Sequence, residues 1–284
     1  MVEVKGLACE LPHTHGLPLS RFSMEDIRRE VVRQGIVASI GKTTIWRWLS
    51  EDAIKPWRHR SWIFPRDPLF AAKAGRILDL YEGIWEGESL RDGDFVVSTD
   101  EKTSIQARRR KHDIMEAAPG RSMRVEHEYE RRGAFAYLAA WDVRCAKIFG
   151  RCEAKTGIAP FGLLVNDVMK KEPYCSARRV FWIMDNGSSH RGERCVRRLT
   201  KDWKNIVVVH TPVHASWLNQ VEIYFSILQR KVLQPNYFES VGEASNRVLE
   251  FQEYYEEAAK PFEWKFTRKD LQDLLARLPE KQAA

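Results

Sequence analysis

The chain has 284 residues, of which 44% are hydrophobic and 30% charged, and it carries a net charge of +7. This length and apolar content are enough for one large domain and one small one, each with a core, and they exclude a disordered chain. No uncharged apolar run reaches the roughly 18 residues of a membrane span, and the first residues do not resemble a signal peptide. Five cysteines without a CxxC pair exclude a disulfide framework and a zinc finger, which favours the reducing cytoplasm.

Positive charge is concentrated in two segments of the chain. Residues 21–66 contain ten Lys and Arg against five Asp and Glu, and residues 102–124 contain seven against two. Two separated basic zones suit a polyanion that is contacted in two places, which makes nucleic acid the first candidate partner. An ordinary solvated surface is the alternative.

Residues 21–50 predict two short helices. Ser23 is followed three residues later by Asp26, which is the spacing of an N-terminal cap, and Gly35 ends the first helix. The second helix lies in GKTTIWRWLSED, where Ile45, Trp48 and Leu49 share one face. Two short helices joined by a tight turn are typical of the helix-turn-helix, whose second helix contacts DNA; an ordinary helical hairpin is the alternative.

The segment 51–68 is broken by prolines, and its basic residues alternate with Trp57 and Trp62. Such a mixture suits a DNA contact as well as a braced linker. The DNA contacts expected from this region and the preceding helix are Lys42, Thr43, Thr44, Arg47, Arg58 and Arg60.

A helix is predicted over 69–84, and the polar turn EGESLRDGD then marks a domain boundary. Beyond it the pattern changes to alternating strands and helices. Strands are predicted at 95–99, 133–143, 145–153, 179–184 and 205–210, and helices at 161–171, 193–203, 217–233, 241–259 and 269–277. A meander followed by parallel additions predicts a mixed α/β sheet with helices on its faces.

Three acids occupy telling places in this order. Asp100 and Asp185 follow the first and fourth predicted strands, and Glu222 lies in the first turns of a helix. If those two strands are neighbours, the two aspartates lie side by side at the edge where α/β sheets bind ligands. Three converging carboxylates repel one another unless cations are present. Two Mg²⁺ ions about 3.5–4 Å apart would remove that problem and support phosphoryl transfer.

Each acid also has an ordinary explanation, since Asp often caps turns at strand ends and Glu favours helix starts. Asn219 is expected one turn before Glu222 on the same helical face, within reach of metal-bound water or a phosphate. Three more polar residues lie close in sequence to Asp185 and Glu222. They either surround the metal and the DNA or brace loops, and they are Asn186, His190 and His214. The basic run that follows the first acid is expected to contact the DNA backbone, with a solvated surface as its alternative; it comprises Arg108, Arg109, Arg110 and Lys111.

Four stretches of the chain resemble the IS630 family of bacterial insertion-sequence transposases, relatives of the Tc1/mariner group. They are VVSTDEKTSIQARRR, RVEHEYERRGAFAYLAAWDV, VFWIMDNGSSHRG and HTPVHASWLNQVEIYFSILQRKVL. Asp185 and Glu222 have 36 residues between them, close to the short spacing of that family. The resemblance extends over about residues 5–278.

The resemblance implies an RNase H-like mixed sheet flanked by helices, with an N-terminal all-α helix-turn-helix region. It implies that Asp100, Asp185 and Glu222 bind two Mg²⁺ ions, for which Mn²⁺ substitutes, and catalyse DNA strand cleavage and strand transfer. The implied partners are double-stranded DNA, as terminal inverted repeats and target, and a second copy of the chain. No membrane is involved, and the implied location is the nucleoid of the bacterial cytoplasm.

The expected domains are a helix-turn-helix region with its linker at 1–66, a connecting helix at 67–93 and the catalytic domain at 94–284. Members of the family usually begin further upstream with another helical DNA-binding segment, so we expect a truncated N-terminus with one helix-turn-helix unit. Two other functions stay open from the sequence. One is a catalytically idle remnant that only binds DNA, and the other is a nuclease for RNA–DNA hybrids.

Overall fold

The structure is a computed structural model, and it describes residues 1–59, 65, 67–187 and 192–277. The chain divides into two units, Met1–Ile63 and Phe64–Ala284. Across the described ranges, every helix is too short or too polar to cross a lipid bilayer.

The first unit is helical, as predicted. It contains α1 (Val2–Cys9), a 3₁₀ turn (Pro12–His15), α2 (Met24–Arg33) and α3 (Lys42–Glu51). The start of α2 is confirmed: the Ser23 hydroxyl accepts the Asp26 N–H at 3.2 Å, and the Asp26 carboxylate accepts the Ser23 N–H at 3.0 Å. This reciprocal pair satisfies two backbone donors that a helix start otherwise leaves open.

One apolar core joins the three helices of the first unit, and it includes Val4, Leu7, Phe22, Ile27, Val31, Ile45 and Leu49. Helix α1 was not among the predicted elements, because its eight residues VEVKGLAC are too few to show a period and contain a glycine. In α3 the predicted apolar face is confirmed, since Ile45 and Leu49 are fully buried and Trp48 is half-buried; Thr43 and Arg47 are exposed.

The second unit begins with α4 (Phe70–Tyr81), which ends three residues before the predicted end at 84. A small hairpin follows, with β1 (Ile84–Trp85) before the predicted polar turn and β2 (Glu88–Ser89) inside it. The remaining strands are β3 (Asp94–Arg110), β4 (Tyr129–Asp142), β5 (Lys147–Glu153), β6 (Arg179–Met184) and β7 (Ile206–His210). The remaining helices are α5 (Ile158–Met169), α6 (Gly192–Asp202), α7 (Val221–Lys231), α8 (Val241–Glu256) and α9 (Arg268–Ala276).

A five-stranded mixed sheet forms the centre of this unit, in the order β5-β4-β3-β6-β7. β3, β4 and β5 are antiparallel neighbours, and β6 and β7 run parallel to β3. Helices cover both faces, and side chains alternate between them along each strand. The predicted mixed sheet is therefore confirmed, and β3 and β6 are neighbours as the carboxylate hypothesis required.

Strand β3 is much longer than predicted, and this changes the place of one acid. β4 pairs with it along most of its length, whereas β6 pairs only with Asp94–Ser98. The register with β4 shifts twice, and Ser104 adopts φ +56° at the first shift. Asp100 therefore lies inside β3, just past the end of its pairing with β6, and the prediction that it ends the strand is wrong.

The opposite end of the β3–β6 pair is fixed by a buried carboxylate. Asp94 accepts hydrogen bonds at 2.9 Å from the Nε of Arg178 and at 2.9 Å from the Nη2 of Arg179. Burial alone would raise the pKa of Asp94, but the hydrogen bonds from the two arginines hold it below its usual range. The cluster joins the first residues of both strands and so fixes their relative position.

Candidate active site

Asp100, inside β3, and Asp185, directly after β6, lie at the same level on neighbouring strands. The parallel register runs from Asp94 opposite Arg179 to Ser98 opposite Ile183. Continuing it by two residues sets Asp100 opposite Asp185, on strands that are about 4.8 Å apart. Asp185 directly follows the last residue of β6, as the sequence predicted.

The two aspartates also share one face of the sheet. The Ser98 hydroxyl accepts the backbone N–H of Val221, the first residue of α7, at 3.0 Å. Ile183 belongs to the core on the same α7 side. Because strand side chains alternate, the residues two positions further, Asp100 and Asp185, lie on that side as well.

The polypeptide before Glu222 is not the continuous helix predicted over 217–233. A 3₁₀ turn spans Ser216–Leu218, Asn219 is extended with ψ 110°, and α7 starts at Val221. The prediction that Asn219 lies on the same helical face as Glu222 is therefore wrong. Its amide does not extend a helix surface; it is buried against β3.

Asn219 ties the start of α7 to the strand that carries the first acid. Its Nδ2 donates to the Thr99 carbonyl at 2.8 Å and to Asp100 Oδ2 at 3.3 Å, and its Oδ1 accepts the Ser98 hydroxyl. The other oxygen of Asp100 accepts the Glu101 N–H at 2.7 Å. The Asp100 carboxylate is thus oriented from two sides.

Asp185 is held by its own loop. Its Oδ1 accepts the Gly187 N–H at 2.7 Å, while Asn186 donates to the Thr211 carbonyl at 2.6 Å. His214, in a left-handed conformation at φ +62°, lines a cavity of about 330 Å³ together with Asp185 and Asn186. His190 lies outside the described residues.

Glu222 occupies the first turn of α7, as predicted, and its side chain is half-buried. Burial raises the pKa of Glu222, the Asp185 charge raises it further, and the Lys102 ammonium opposes both. The same burial lowers the pKa of Lys102, against the attraction of Glu222. The electrostatic contacts therefore connect Glu222 with Asp185 and with Lys102.

Lys102 is a site residue that the sequence reasoning missed. It looks like any surface lysine in VVSTDEKTS, but it lies two residues after Asp100 and before the shift at Ser104. Strand alternation therefore places it on the face of Asp100. The signal available in the sequence was this i, i+2 spacing, which becomes informative once β3 is known to continue past Asp100.

The donor set suits a divalent cation. Three carboxylates from two strands and a helix supply the hard oxygen ligands that Mg²⁺ and Mn²⁺ accept. Such a cation favours the ionised form of Glu222, against the burial and the Asp185 charge that raise its pKa. Within the described ranges, no three His, Cys, Asp or Glu side chains already form a group able to hold a metal ion. The chemistry fits a metal site, while a three-ligand cage is not preformed.

The residues of the predicted basic run, at the end of β3 and directly after it, point to two different sides of the strand. The guanidinium of Arg108 lies 4.5 Å from the centre of the Tyr129 ring, and that of Arg110 lies 5.3 Å from it. Arg110 also donates to the Asn236 carbonyl at 3.1 Å. Arg108 and Arg110 are therefore neighbours on one face, stacked on a shared aromatic ring.

The other two residues of the run face elsewhere. Arg109 forms an ion pair with Glu239 at 3.0 Å, and Lys111 pairs with Glu128. Both pairs are exposed to solvent, so they contribute little to stability. The run is thus two separate pairs of cations rather than one continuous patch.

The first unit carries the remaining predicted DNA contacts: Lys42, Thr43, Thr44, Arg47, Arg58 and Arg60. Arg60 lies outside the described residues. Lys42, the first residue of α3, forms an ion pair with Glu25 at 2.8 Å. The outer face of α3 exposes Arg47 and also Trp46, which is 56% exposed and was not among the predicted contacts.

Comparison with known proteins defines the class of this protein. The sequence profile of the DDE superfamily endonucleases matches residues 96–244, just over half of the chain, and this region contains all three acids. The chain belongs to this family. No curated protein sequence matches it.

Two solved structures are similar in fold. The Mos1 mariner paired end complex with Mn has a TM-score of 0.52 and 16% identity, covering 86% of this chain and 76% of that one. The Mos1 transposase paired-end complex with left transposon end has a TM-score of 0.51 and 14% identity, covering 93% and 78%. At this identity the likeness establishes the fold, a mixed sheet flanked by helices of the RNase H-like type.

Proposed function

We propose that this chain is a DDE transposase of the IS630 type, which cleaves DNA at transposon ends and joins the cleaved ends to target DNA. One observation carries the proposal: Asp100 in β3 and Asp185 at the end of β6 lie opposite each other on one face of adjacent strands, and Glu222 is in electrostatic contact with Asp185. Membership of the DDE superfamily endonucleases supports it.

In this proposal Asp100, Asp185 and Glu222 hold two Mg²⁺ ions, with Mn²⁺ as a substitute. When bound, such ions activate an attacking oxygen and stabilise a leaving one. The protein contributes placement. β3 and β6 fix the two aspartates, and Asn219 orients Asp100 while it joins the start of α7 to β3.

The proposed reaction has two steps. Water attacks a phosphodiester at the element end and cleaves it into a 3′-hydroxyl and a 5′-phosphate. The freed 3′-hydroxyl then attacks a phosphodiester of the target strand in line, forms a new phosphodiester to its 5′ side and releases the 3′-hydroxyl of the cut target strand. Both steps depend on holding the reacting oxygens in position and on electrostatic stabilisation of the transition state. The rigid strand pair provides the positioning. Lys102 adds a positive charge on the face where the phosphate would lie.

We also propose a division of labour along the chain. Residues 1–66 bind the terminal repeat through the outer face of α3. Residues 67–93 connect this region to residues 94–284, which catalyse DNA cleavage and strand transfer. Arg47 and Trp46 on that outer face support the first part. The active form would be a homodimer that joins two DNA ends, and it would act at the bacterial nucleoid, where its DNA substrate lies.

The test compares Glu222→Gln with a matched control. Glu253→Gln makes the same substitution at an exposed position of α8. The substrate is end-labelled DNA that carries the sequences flanking the coding sequence, where the transposon ends are expected. It is incubated with each protein in Mg²⁺ and, separately, in EDTA. We expect metal-dependent nicking by the wild type and the control, and none by Glu222→Gln.

Three outcomes contradict the proposal. Nicking that Glu222→Gln retains removes Glu222 from the site. A salt-sensitive gel shift without any nicking by the wild type supports the DNA-binding remnant instead. A preference for RNA–DNA hybrids over duplex DNA supports the hybrid nuclease.

A further inference from the structure

A second cavity opens beside the distal half of β3. Its volume is about 440 Å³, and one wall is β3 from Lys102 to Arg110. The other wall is the end of α7 at Gln229 and the segment 233–236 that follows it. This volume is in the range of pockets that hold small ligands, so a nucleotide unit of a DNA strand fits.

The cavity adjoins the carboxylates. Lys102 lines it and is also in electrostatic contact with Glu222. Gln229 lies on α7 seven residues after Glu222, two turns further along the same side of the helix. A strand that leaves the carboxylates along β3 therefore enters this cavity, which we call the β3 groove.

The β3 groove is cationic. Lys102, Arg108 and Arg110 line it, and its twelve lining residues, all within the described chain, include no Asp or Glu. The chain as a whole has 39 acidic residues, so a lining without acids is a local feature. Such a surface attracts a polyanion.

The groove offers no aromatic platform for a base. None of its twelve lining residues is aromatic, and the Tyr129 ring is covered by the guanidinium groups of Arg108 and Arg110. The uncharged polar lining includes amides such as Gln229 and Gln234, which donate to phosphate and sugar oxygens. This chemistry recognises a sugar–phosphate backbone and offers no ring on which a base could stack.

The segment after α7 keeps the groove in shape. Asn236 accepts the Arg108 N–H at 3.0 Å and donates to the Gln106 carbonyl at 2.6 Å. The Phe238 N–H then bonds to the Arg108 carbonyl at 3.0 Å. The segment thus occupies the edge of β3 that β6 leaves, and the groove lies between these two pairings.

We propose that the β3 groove binds the backbone phosphates of the DNA strand that runs out of the active site, without reading its bases. The inference rests on the proposed function and adds to it a sequence-independent subsite for the strand next to the cut. From Lys102 to Arg108, β3 spans about 20 Å at roughly 3.3 Å per residue, which is several nucleotides of backbone.

The decisive variants change one charge in the groove. Gln229 is half-buried at the groove wall, so Gln229→Glu and Gln229→Lys alter charge with little change in packing. Binding to an oligonucleotide of the element end is measured by fluorescence anisotropy in EDTA. We expect Gln229→Glu to weaken binding roughly threefold to tenfold at low salt and Gln229→Lys to strengthen it by a similar factor. The Lys variant should steepen the salt dependence by about one phosphate contact.

The matched controls are Gln272→Glu and Gln272→Lys. Gln272 is exposed on α9 and does not line the groove. We expect each of these two changes to alter DNA binding only slightly and by about the same factor. Opposite shifts at Gln229 without such shifts at Gln272 support the groove, whereas equal behaviour at both positions overturns it.

Single neutral phosphates test the backbone claim. Methylphosphonate is placed at one position at a time along the strand, and abasic sites replace single bases in a second series. We expect the advantage of Gln229→Lys to disappear at one or two adjacent methylphosphonates and to survive every abasic site. An advantage that follows base identity overturns the inference.

Nicking by the wild type is scored separately, which keeps two failures apart. If the wild type nicks and the Gln229 variants bind like the wild type, the groove proposal fails and the proposed function stands. If the wild type does not nick, the proposed function fails whatever the binding data show.

Discussion

The buried amide of Asn219 gives the sharpest prediction of the structure. Asn219 makes three hydrogen bonds, to Ser98, Thr99 and Asp100, and only 1% of its surface is exposed. Asn219→Ala removes all three bonds and leaves a buried hydroxyl and a buried carbonyl with fewer partners. At about 1 kcal/mol per bond, the free energy of unfolding should fall by about 3 kcal/mol.

Asn219→Asp refines the test because it keeps the size of the side chain. It replaces the donating Nδ2 with an oxygen that faces the Asp100 carboxylate and the Thr99 carbonyl. At pH 7 we expect a loss at least as large as that of the alanine variant. The loss should shrink as the pH falls and the new carboxyl group is protonated.

Urea denaturation followed by circular dichroism measures these losses, with Asn246→Ala as the control. Asn246 is exposed on α8, where alanine favours the helix by a few tenths of a kcal/mol. DNA nicking by folded Asn219→Ala should also fall, because Asp100 loses its orientation. A loss below about 0.5 kcal/mol together with wild-type nicking would refute the role assigned to Asn219.

Three further changes test other parts of the molecule. Burial raises the pKa of Glu222, so its ionised form destabilises the fold. Glu222→Gln should therefore raise the free energy of unfolding at pH 7 by less than about 1 kcal/mol, and urea titrations should show that this gain vanishes below pH 4.5. Asp94→Asn should cost about 2–4 kcal/mol, and because the pKa of Asp94 is lowered, the wild type but not the variant should lose that contribution as the pH falls below 3.8. A Cβ at Gly150 would overlap the Tyr137 ring, so Gly150→Ala should cost roughly 1–3 kcal/mol in thermal melts, and an unchanged Tm contradicts this.

The sheet was predictable where burial dominates the sequence. β6 has the bounds predicted from RVFWIM, because a strand buried on both faces is a continuous apolar run. The distal half of β3 was not predictable in the same way. Its sequence DEKTSIQARRR is polar and contains the offset at Ser104, so it shows no steady period of two. Its pairing with β4 holds it in the sheet.

The site was predictable in part for the same reason. Asp185 follows a clear strand, and its neighbourhood with Asp100 required only that β3 and β6 be adjacent. Lys102 and Asn219 needed more. The role of Lys102 depends on how far β3 continues, and that of Asn219 depends on where α7 begins. That start has no side-chain cap to mark it in the sequence, so tertiary hydrogen bonds to β3 determine it.

The extra residue at Ser104 fixes which side of the sheet each later residue of β3 faces. It lies between Asp100 and Arg108, and on its far side Ile105 and Ala107 point into the core. Deleting one residue there would turn those apolar side chains outward and the arginines inward, since each step along a strand reverses the side. In the proposed complex, the number of residues in β3 therefore sets the distance between the cleaved bond and the backbone contacts in the β3 groove, and a substitution that leaves this number unchanged does not alter that distance.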